Sequence, residues 1–199
     1  LKDTKVDYYS SNNSLFTLFT SGSTGEPKGV VHSTGGYALF TIMTCKTKFG
    51  IKEDSIILTA SDAGWINGHT YSLIGPLLIG STTVLLSKPT FLLQSKILML
   101  VLSLKLTILY LPVTLIRLLR ALANKKQFKK HSLKTLGSMG EPLAKDVGTW
   151  FAEKFNLKKK AIVNTYYQTE TGGIICSPSF SDSSIKFPHG SIGNTISNH

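Results

Sequence analysis

The sequence has few cysteines, and none of them is arranged for metal or redox chemistry. Only 2 of the 199 residues are cysteine, Cys45 and Cys176, and they lie far apart in the chain. This spacing matches neither a zinc site nor a redox pair, so both thiols are expected to be free, as in a reducing compartment. We therefore expect a cytoplasmic protein, or a mitochondrial one if a transit peptide precedes this sequence.

Long uncharged apolar runs are also missing. The most apolar stretch, Phe91 to Leu111, is interrupted by Lys96 and Lys105. A helix that spans a bilayer needs about 20 predominantly apolar residues, so no membrane span is predicted. With 42% hydrophobic and 17% charged residues, the composition is that of a globular domain.

Acidic residues are scarce: 11 Asp and Glu stand against 22 Lys and Arg, which gives a net charge of +11. Such an excess predicts a polyanionic partner, either a nucleotide, another phosphorylated ligand or nucleic acid. Much of the excess lies in two lysine clusters without interleaved aromatic residues, a pattern more typical of a solvated helix face than of a base-stacking surface. The clusters are Lys125, Lys126, Lys129, Lys130 and Lys134, and Lys158 to Lys160. A small phosphorylated ligand is therefore preferred over nucleic acid.

Short β-type runs alternate with segments of helical periodicity along most of the chain. This alternation predicts an α/β fold with a mostly parallel sheet flanked by helices. The predicted strands are Leu15 to Thr20, Ser55 to Ala60, Thr82 to Leu86, Leu106 to Leu111, Leu133 to Gly137 and Ala161 to Asn164. The predicted helices are Gly36 to Phe49, Thr70 to Ile79, Leu92 to Leu104, a helix capped by Thr114 that reaches Leu122, and Ala144 to Phe155.

Four unusual stretches follow predicted strands. They are TSGSTGEPKG (20–29), SDAGWINGH (61–69), GSMGEP (137–142) and TYYQTETGG (165–173). Ligands of open α/β sheets bind outside the carboxyl ends of the strands. We therefore expect the four loops to lie on one edge of the sheet and to form a pocket.

The first of these loops has the chemistry of a phosphate site. Its glycines allow the backbone N–H groups to line an anion-binding concavity, and its hydroxyl groups and lysine add donors to phosphate oxygen. The residues are Thr20, Ser21, Gly22, Ser23, Thr24, Gly25, Lys28 and Gly29. Because Lys28 is followed by Gly29 and not by Ser or Thr, the loop does not match the nucleotide-binding P-loop. The alternative is a flexible Gly/Ser loop.

The last loop contains a candidate metal ligand. Glu170 offers a hard oxygen ligand suited to Mg²⁺, and Thr169 can reach a neighbouring phosphate oxygen. A lone glutamate in a loop is usually only solvated. Its predicted position beside a phosphate site favours the metal role.

Taken together, these motifs resemble the AMP-forming acyl-CoA synthetases, and within them the branch of acetyl-CoA and propionyl-CoA synthetases. The resemblance rests on LFTSGSTGEPKGVVHSTGGY, SDAGWINGHTYSLIGPLLIGSTTVLL, LKTLGSMGEPL and VNTYYQTETGG, in the family's order, and covers nearly all of Ser14 to Pro178. It implies a two-step reaction. A carboxylate attacks the α-phosphorus of ATP to give acyl-AMP and pyrophosphate, and the thiolate of coenzyme A then displaces AMP.

The resemblance also implies roles for individual residues. The segment from Thr20 to Gly25 and Lys28 would hold the β- and γ-phosphates, Thr169 the α-phosphate and Glu170 the Mg²⁺ ion. One wall of the adenine slot and the rest of the nucleotide site would comprise Gly140, Glu141, Pro142, Asn164, Thr165, Tyr166 and Gln168. Trp65 would lie where acid, pantetheine and nucleotide meet; the alternative is a core aromatic side chain.

The positions that line the acid pocket in this branch match Ile66, Asn67, Met139 and Tyr167. Acetyl-CoA synthetases typically carry Val, Thr, Val and Trp there. Tyr167 is smaller than an indole, whereas Ile66 and Met139 are bulkier than valine, so the changes in pocket size oppose each other. The resemblance therefore implies a short-chain acid such as acetate or propionate.

Family members are several times longer than this chain, so we expect it to be a central piece of the large domain. In this interpretation residues 1–14 are a polar lead-in, residues 15–178 bind ATP and acid, residues 179–199 are an incomplete continuation, and the C-terminal lid domain is absent. These 199 residues alone are expected to make no acyl-CoA. Two alternatives stay open: an adenylate-forming enzyme with another acid or acceptor, and a non-catalytic relic that binds nucleotide or nucleic acid.

Overall fold

The computed structural model describes residues 5–21, 25–123, 127–158, 161–178 and 191–195. Within these ranges the chain forms a two-stranded hairpin, a five-stranded parallel sheet and a three-stranded antiparallel sheet. Helices cover both faces of the parallel sheet. In this part of the chain, no helix is both long and apolar enough to cross a membrane.

The hairpin comprises β1 (Ser14–Thr20) and β2 (Lys28–Ser33), which pair antiparallel with Thr20 opposite Lys28. Strand β2 leads directly into helix α1 (Thr34–Phe49). This helix ends at Gly50, which adopts the left-handed conformation (φ 66°) that glycine tolerates best. The hairpin thus immediately precedes the first helix of the α/β region.

Beyond α1, strands and helices alternate. In chain order they are β3 (Ile56–Thr59), α2 (Ile66–His69), α3 (Gly75–Ile79), β4 (Thr82–Thr83), α4 (Ser95–Ser103), β5 (Ile108–Pro112), α5 (Val113–Leu122), β6 (Thr135–Met139), α6 (Lys145–Lys154) and β7 (Ile162–Asn164). A π-helical segment, Thr70–Ile74, joins α2 to α3, and a 3-10 turn, Pro89–Leu93, precedes α4.

Strand β5 lies at the centre of the parallel sheet, whose order is β4-β3-β5-β6-β7. Successive side chains of a strand point to opposite faces. Leu109 therefore joins a core packed against α4, α5 and α6, whereas Ile108 and Tyr110 join a second core packed against α1 and the helical segment after β3. Burying each of these large apolar side chains contributes about 1.5–3 kcal/mol.

The chain then leaves the parallel sheet. Strands β8 (Tyr166–Gln168), β9 (Gly173–Ser177) and β10 (Asn194–Thr195) form the antiparallel sheet, in the order β10-β9-β8. A turn over residues 169–172 connects β8 to β9. Because β8 follows β7 after one residue, this turn stays close to the carboxyl edge of the parallel sheet.

The predicted α/β class is confirmed, and each predicted strand and helix has a counterpart. Two expectations are wrong. The first predicted strand does not belong to the parallel sheet, because Val30 and Val31 form an unpredicted strand that pairs with it. The glycine loop therefore links two antiparallel strands of a hairpin. Thr114 does not cap α5 either: the helix begins at Val113, and Pro112 occupies the N-cap position without a side-chain hydrogen bond.

Candidate functional site

The turn between β8 and β9 is fixed to the base of the hairpin. His32, in β2, donates from Nε2 to the backbone oxygen of Thr169 over 2.8 Å. Gly172 lies against the same side chain: a Cβ placed there would be 3.3 Å from His32 Cε1 and 3.1 Å from Tyr37 Cδ2. Gly172 also has a positive φ of 76°, which other residues adopt at a cost. The turn that carries Glu170 is thus packed against the hairpin that carries the glycine loop.

An aromatic cluster ties a third loop to this contact. Phe16, in β1, stacks on His69 with ring centroids 4.8 Å apart and meets His32 at 5.1 Å and Tyr37 edge-on at 5.1 Å. His69 in turn donates from Nε2 to the backbone oxygen of Ala63 over 2.8 Å. The stretch 61–69 is therefore held against the hairpin base, as the 169–172 turn is.

A buried pair of hydroxyl groups completes the attachment. Thr70 Oγ1 donates to the backbone oxygen of Gly172 (2.6 Å), so it accepts the hydrogen bond from the Tyr37 hydroxyl (2.7 Å). Burial raises the pKa of Tyr37 to about 12, in spite of the hydrogen bond to Thr70. Tyr37 is thus a neutral donor at physiological pH, and the backbone of the turn is fixed at two of its carbonyls.

Those residues of the predicted phosphate loop that the structure describes lie mainly on the surface. Thr20 is half-buried at the end of β1, and Ser21, Gly25 and Lys28 are exposed. Gly25 has a φ of 86° and an open side, as expected where backbone must approach a ligand. Gly22, Ser23 and Thr24 lie outside the described residues. Lys28 stands opposite Thr20 in the hairpin, so a hydroxyl and an ammonium group flank the turn.

Glu170 is exposed in its turn, next to the half-buried Thr169. Among the residues that the structure describes, no three His, Cys, Asp or Glu side chains are grouped to hold a metal ion. A single exposed carboxylate still fits Mg²⁺, which proteins commonly bind through one or two carboxylates, water and the phosphates of a substrate. The donor set is therefore compatible with a metal that arrives with a nucleotide.

The predicted nucleotide wall is divided between buried and exposed residues. Asn164 and Thr165 are buried at the end of β7, and Asn164 Oδ1 accepts a hydrogen bond from Ser138 Oγ (2.9 Å). Glu141 forms an ion pair with Arg117 over 2.8 Å, and Gly140 before it has a φ of 87°. The exposed members are Pro142, Tyr166 and Gln168, of which Gln168 donates to the Tyr166 hydroxyl (3.1 Å).

The four predicted acid-pocket residues differ in burial. Ile66, Asn67 and Met139 are buried, and Tyr167 is half-buried against the core that contains Met139. Asn67 Nδ2 lies 3.0 Å from Met139 Sδ, so the structure brings these two together. Burial raises the pKa of Tyr167 above its usual value. Trp65 is 64% exposed, which excludes its interpretation as a core aromatic.

Sequence reasoning missed the residues that position the site. His32, Tyr37 and Thr70 were not assigned a role, although His32 and Tyr37 belong to the GVVHSTGGY motif that contains the end of the glycine loop. Tyr110 was missed as well: its ring is fully buried in β5, and its hydroxyl lies 2.6 Å from Thr165 Oγ1. A tyrosine inside an otherwise apolar strand is a usable signal, because its buried hydroxyl requires a partner.

Comparisons with known proteins agree on one family. The sequence profile of the family described as AMP-binding enzyme matches residues 2–199. Acetyl-coenzyme A synthetase 1 of Debaryomyces hansenii is 43% identical over 171 residues, and the acetyl-coenzyme A synthetase of Coprinopsis cinerea is 45% identical over 172. Each alignment covers 84% of this chain and 26% of the relative. The chain thus spans about a quarter of the length of these curated relatives.

A solved structure agrees with this result. The crystal structure of an acyl-CoA synthetase from Brucella canis matches with a TM-score of 0.83 and 25% sequence identity. The match covers 98% of this chain and 34% of that protein.

Proposed function

This chain belongs to the AMP-binding enzyme family, and on that premise we propose that it contributes the nucleotide and acid sites of an AMP-forming ligase. The ligase would join a short-chain carboxylic acid to AMP, with release of pyrophosphate, and then transfer the acyl group to coenzyme A. The observation that carries the proposal is the 2.8 Å contact between His32 Nε2 and the Thr169 oxygen. It joins the base of the glycine-loop hairpin to the turn that contains Glu170.

The first step requires charge stabilisation and alignment of reactants more than a strong base. The exposed Lys28 and the hydroxyl group of Thr20 would bind the phosphates, with Ser21 beside them. Glu170 would hold Mg²⁺, whose charge offsets that of the phosphates. The hydrogen bonds on the Thr169 and Gly172 oxygens support this role, because they fix the backbone on both sides of Glu170.

The remaining roles follow from position. The buried Asn164 and Thr165 would line the nucleotide site, together with the backbone of Gly140. The exposed indole of Trp65 would lie between the acid, the nucleotide and the pantetheine arm of coenzyme A. The names of the relatives support acetate or another short-chain acid as the substrate.

The test is AMP formation from ATP, Mg²⁺, coenzyme A and acetate or propionate by the complete protein. Replacing Glu170 by Gln removes one metal-binding charge, and we expect kcat/KM to fall by about 100-fold or more. Glu153→Gln is the matched control, since Glu153 is an exposed carboxylate on α6 away from the proposed site. Both variants should unfold at the wild-type temperature.

The metal role of Glu170 and the proposed reaction can be refuted separately. Full activity of Glu170→Gln would remove Glu170 from the metal role. Absence of AMP formation with every short-chain acid tested would contradict the proposed reaction.

A further inference from the structure

A chain of buried hydrogen bonds lies at the carboxyl edge of the parallel sheet. Thr165 Oγ1 donates its only proton to the backbone oxygen of Ser138, 2.8 Å away. The hydroxyl groups of Thr165 and Tyr110 are 2.6 Å apart. Since the proton of Thr165 is already used, the Tyr110 hydroxyl must be the donor to Thr165. Its oxygen can then only accept a further hydrogen bond.

These donor and acceptor assignments determine the orientation of the Asn67 side-chain amide. Asn67 Nδ2 lies 3.2 Å from the Tyr110 hydroxyl and 3.0 Å from Met139 Sδ, and both of these atoms are acceptors. Turning the amide over would place Oδ1 against the Tyr110 oxygen without a proton between them. Asn67 therefore presents Nδ2 to Tyr110, and its orientation follows from the hydrogen bonds around it.

The other end of the same amide is unsatisfied. Asn67 is 0% exposed, and its Oδ1 is buried without a hydrogen-bond partner among the residues that the structure describes. Buried side-chain acceptors in folded proteins nearly always have a partner, and an unpaired one is disfavoured. The expected partner of this oxygen is a donor that does not belong to the described chain, either an ordered water molecule or a hydroxyl group of a ligand that displaces it.

The position of Asn67 indicates where that donor comes from. Asn67 lies in α2, which follows β3, and Met139 is the last residue of β6, so both lie at the carboxyl edge of the sheet. Ligands of open α/β sheets bind at this edge. Met139 is unbranched and flexible, so it can move aside for a small group that approaches the amide.

We propose that the acid substrate carries a hydroxyl group that donates a hydrogen bond to Asn67 Oδ1, which makes the substrate class a short-chain hydroxy acid. This inference rests on the proposed function and deepens it. A hydroxyl fits better than an ammonium group, because the groups that contact the Asn67 amide, a phenol and a thioether, are neutral. Burial raises the pKa of Tyr110 well above its usual range, so no phenolate balances a positive charge there. A buried ammonium group without a counter-charge is strongly disfavoured.

The test compares kcat/KM for AMP formation with propionate, 2-hydroxypropionate and 3-hydroxypropionate in the complete protein. We expect one of the two hydroxy acids to exceed propionate by about 5- to 150-fold, the range for one buried hydrogen bond that is made or missed. Asn67→Leu, of similar size and without an acceptor, should bring this ratio close to 1 or below. Asn67→Ala provides a second variant, and thermal unfolding checks that both variants fold.

The outcomes separate this inference from the proposed reaction. Wild-type protein that uses propionate at least as well as both hydroxy acids overturns the inference and leaves the ligase assignment in place. A hydroxyl preference that persists in Asn67→Leu and Asn67→Ala overturns the role of Asn67. Absence of AMP formation with all three acids and with acetate overturns both the inference and the proposed function.

Discussion

Gly137 leaves the space that the Tyr110 ring occupies, so Gly137→Ala should disturb the core and the site together. A Cβ at position 137 would lie 2.3 Å from Tyr110 Cδ2, 2.9 Å from Tyr110 Cγ and 3.0 Å from Phe49 Cε1. Carbon atoms in contact are normally about 3.5–4.0 Å apart, so the ring would have to move by more than about 1 Å. The ring is fully buried, and its hydroxyl is hydrogen-bonded to Thr165 and Asn67.

The cost can be worked out from these contacts. Overpacking of a filled core costs about 1–3 kcal/mol, and each hydrogen bond of Tyr110 that is lost adds about 1 kcal/mol. We expect the free energy of unfolding to fall by about 3 kcal/mol, measured by urea unfolding of the complete protein. Activity should fall as well, because Thr165 and Asn67 both contact Tyr110.

A control and a double mutant isolate the cause. In Gly36→Ala, on α1, the new Cβ meets only Ser33 Oγ at 3.1 Å, a side chain that can rotate, so stability should be unchanged or rise by about 0.5–1 kcal/mol. Tyr110→Leu removes the ring, and Gly137→Ala should then cost much less in that background than in the wild type. Equal costs in the two backgrounds would refute the clash with Tyr110 as the mechanism.

Two further predictions concern the attachment of the 169–172 turn. Thr70→Val leaves the Tyr37 hydroxyl and the Gly172 oxygen without a partner, and it should lower the free energy of unfolding by about 1–3 kcal/mol for each of these two groups. The control Thr47→Val, on the exposed side of α1, should change the free energy of unfolding by less than about 0.5 kcal/mol. Similar losses in both variants would contradict a special role for Thr70. Because burial raises the pKa of Tyr37 from 10.0 to about 12, folded protein binds that proton more tightly than unfolded protein between these values, so its contribution to stability is complete below pH 10 and is lost as the pH rises to about 12. Unfolding measured from pH 9 to 12 should show a smaller loss in Tyr37→Phe than in the wild type, and equal slopes would refute the raised pKa.

The parallel sheet could be predicted from sequence because its signals are local. Strands such as ILYLP are short apolar runs, and β5 is buried at four of its five positions. Gly50 after α1 and Pro112 as the last residue of the central strand mark the ends of elements, as expected from their backbone preferences. These features need no knowledge of which strands pair, so the class and the order of elements follow from the sequence.

The hairpin could not be predicted in the same way, because its evidence is not local. Val30 and Val31 are two β-branched residues in a short stretch, and they become a strand only because Leu18 and Thr17 lie opposite. The hydrogen bonds that position the site are harder still to predict from sequence, because partners such as His32 and Thr169 are far apart in the chain. The sequence shows that a histidine is present at position 32, but it does not indicate which group accepts its hydrogen bond.

The site separates residues that position the backbone from residues that are proposed to touch the ligand, and the separation has a physical cause. His32, Tyr37 and Thr70 are buried, and their hydrogen bonds fix other groups. Lys28 and Glu170 are exposed, where an ammonium and a carboxylate keep their charge without the desolvation that burial would impose. Substitutions of the buried group should therefore change stability and activity together. Substitutions of the exposed pair should change activity at constant stability, so the two measurements made on one set of variants distinguish the two classes.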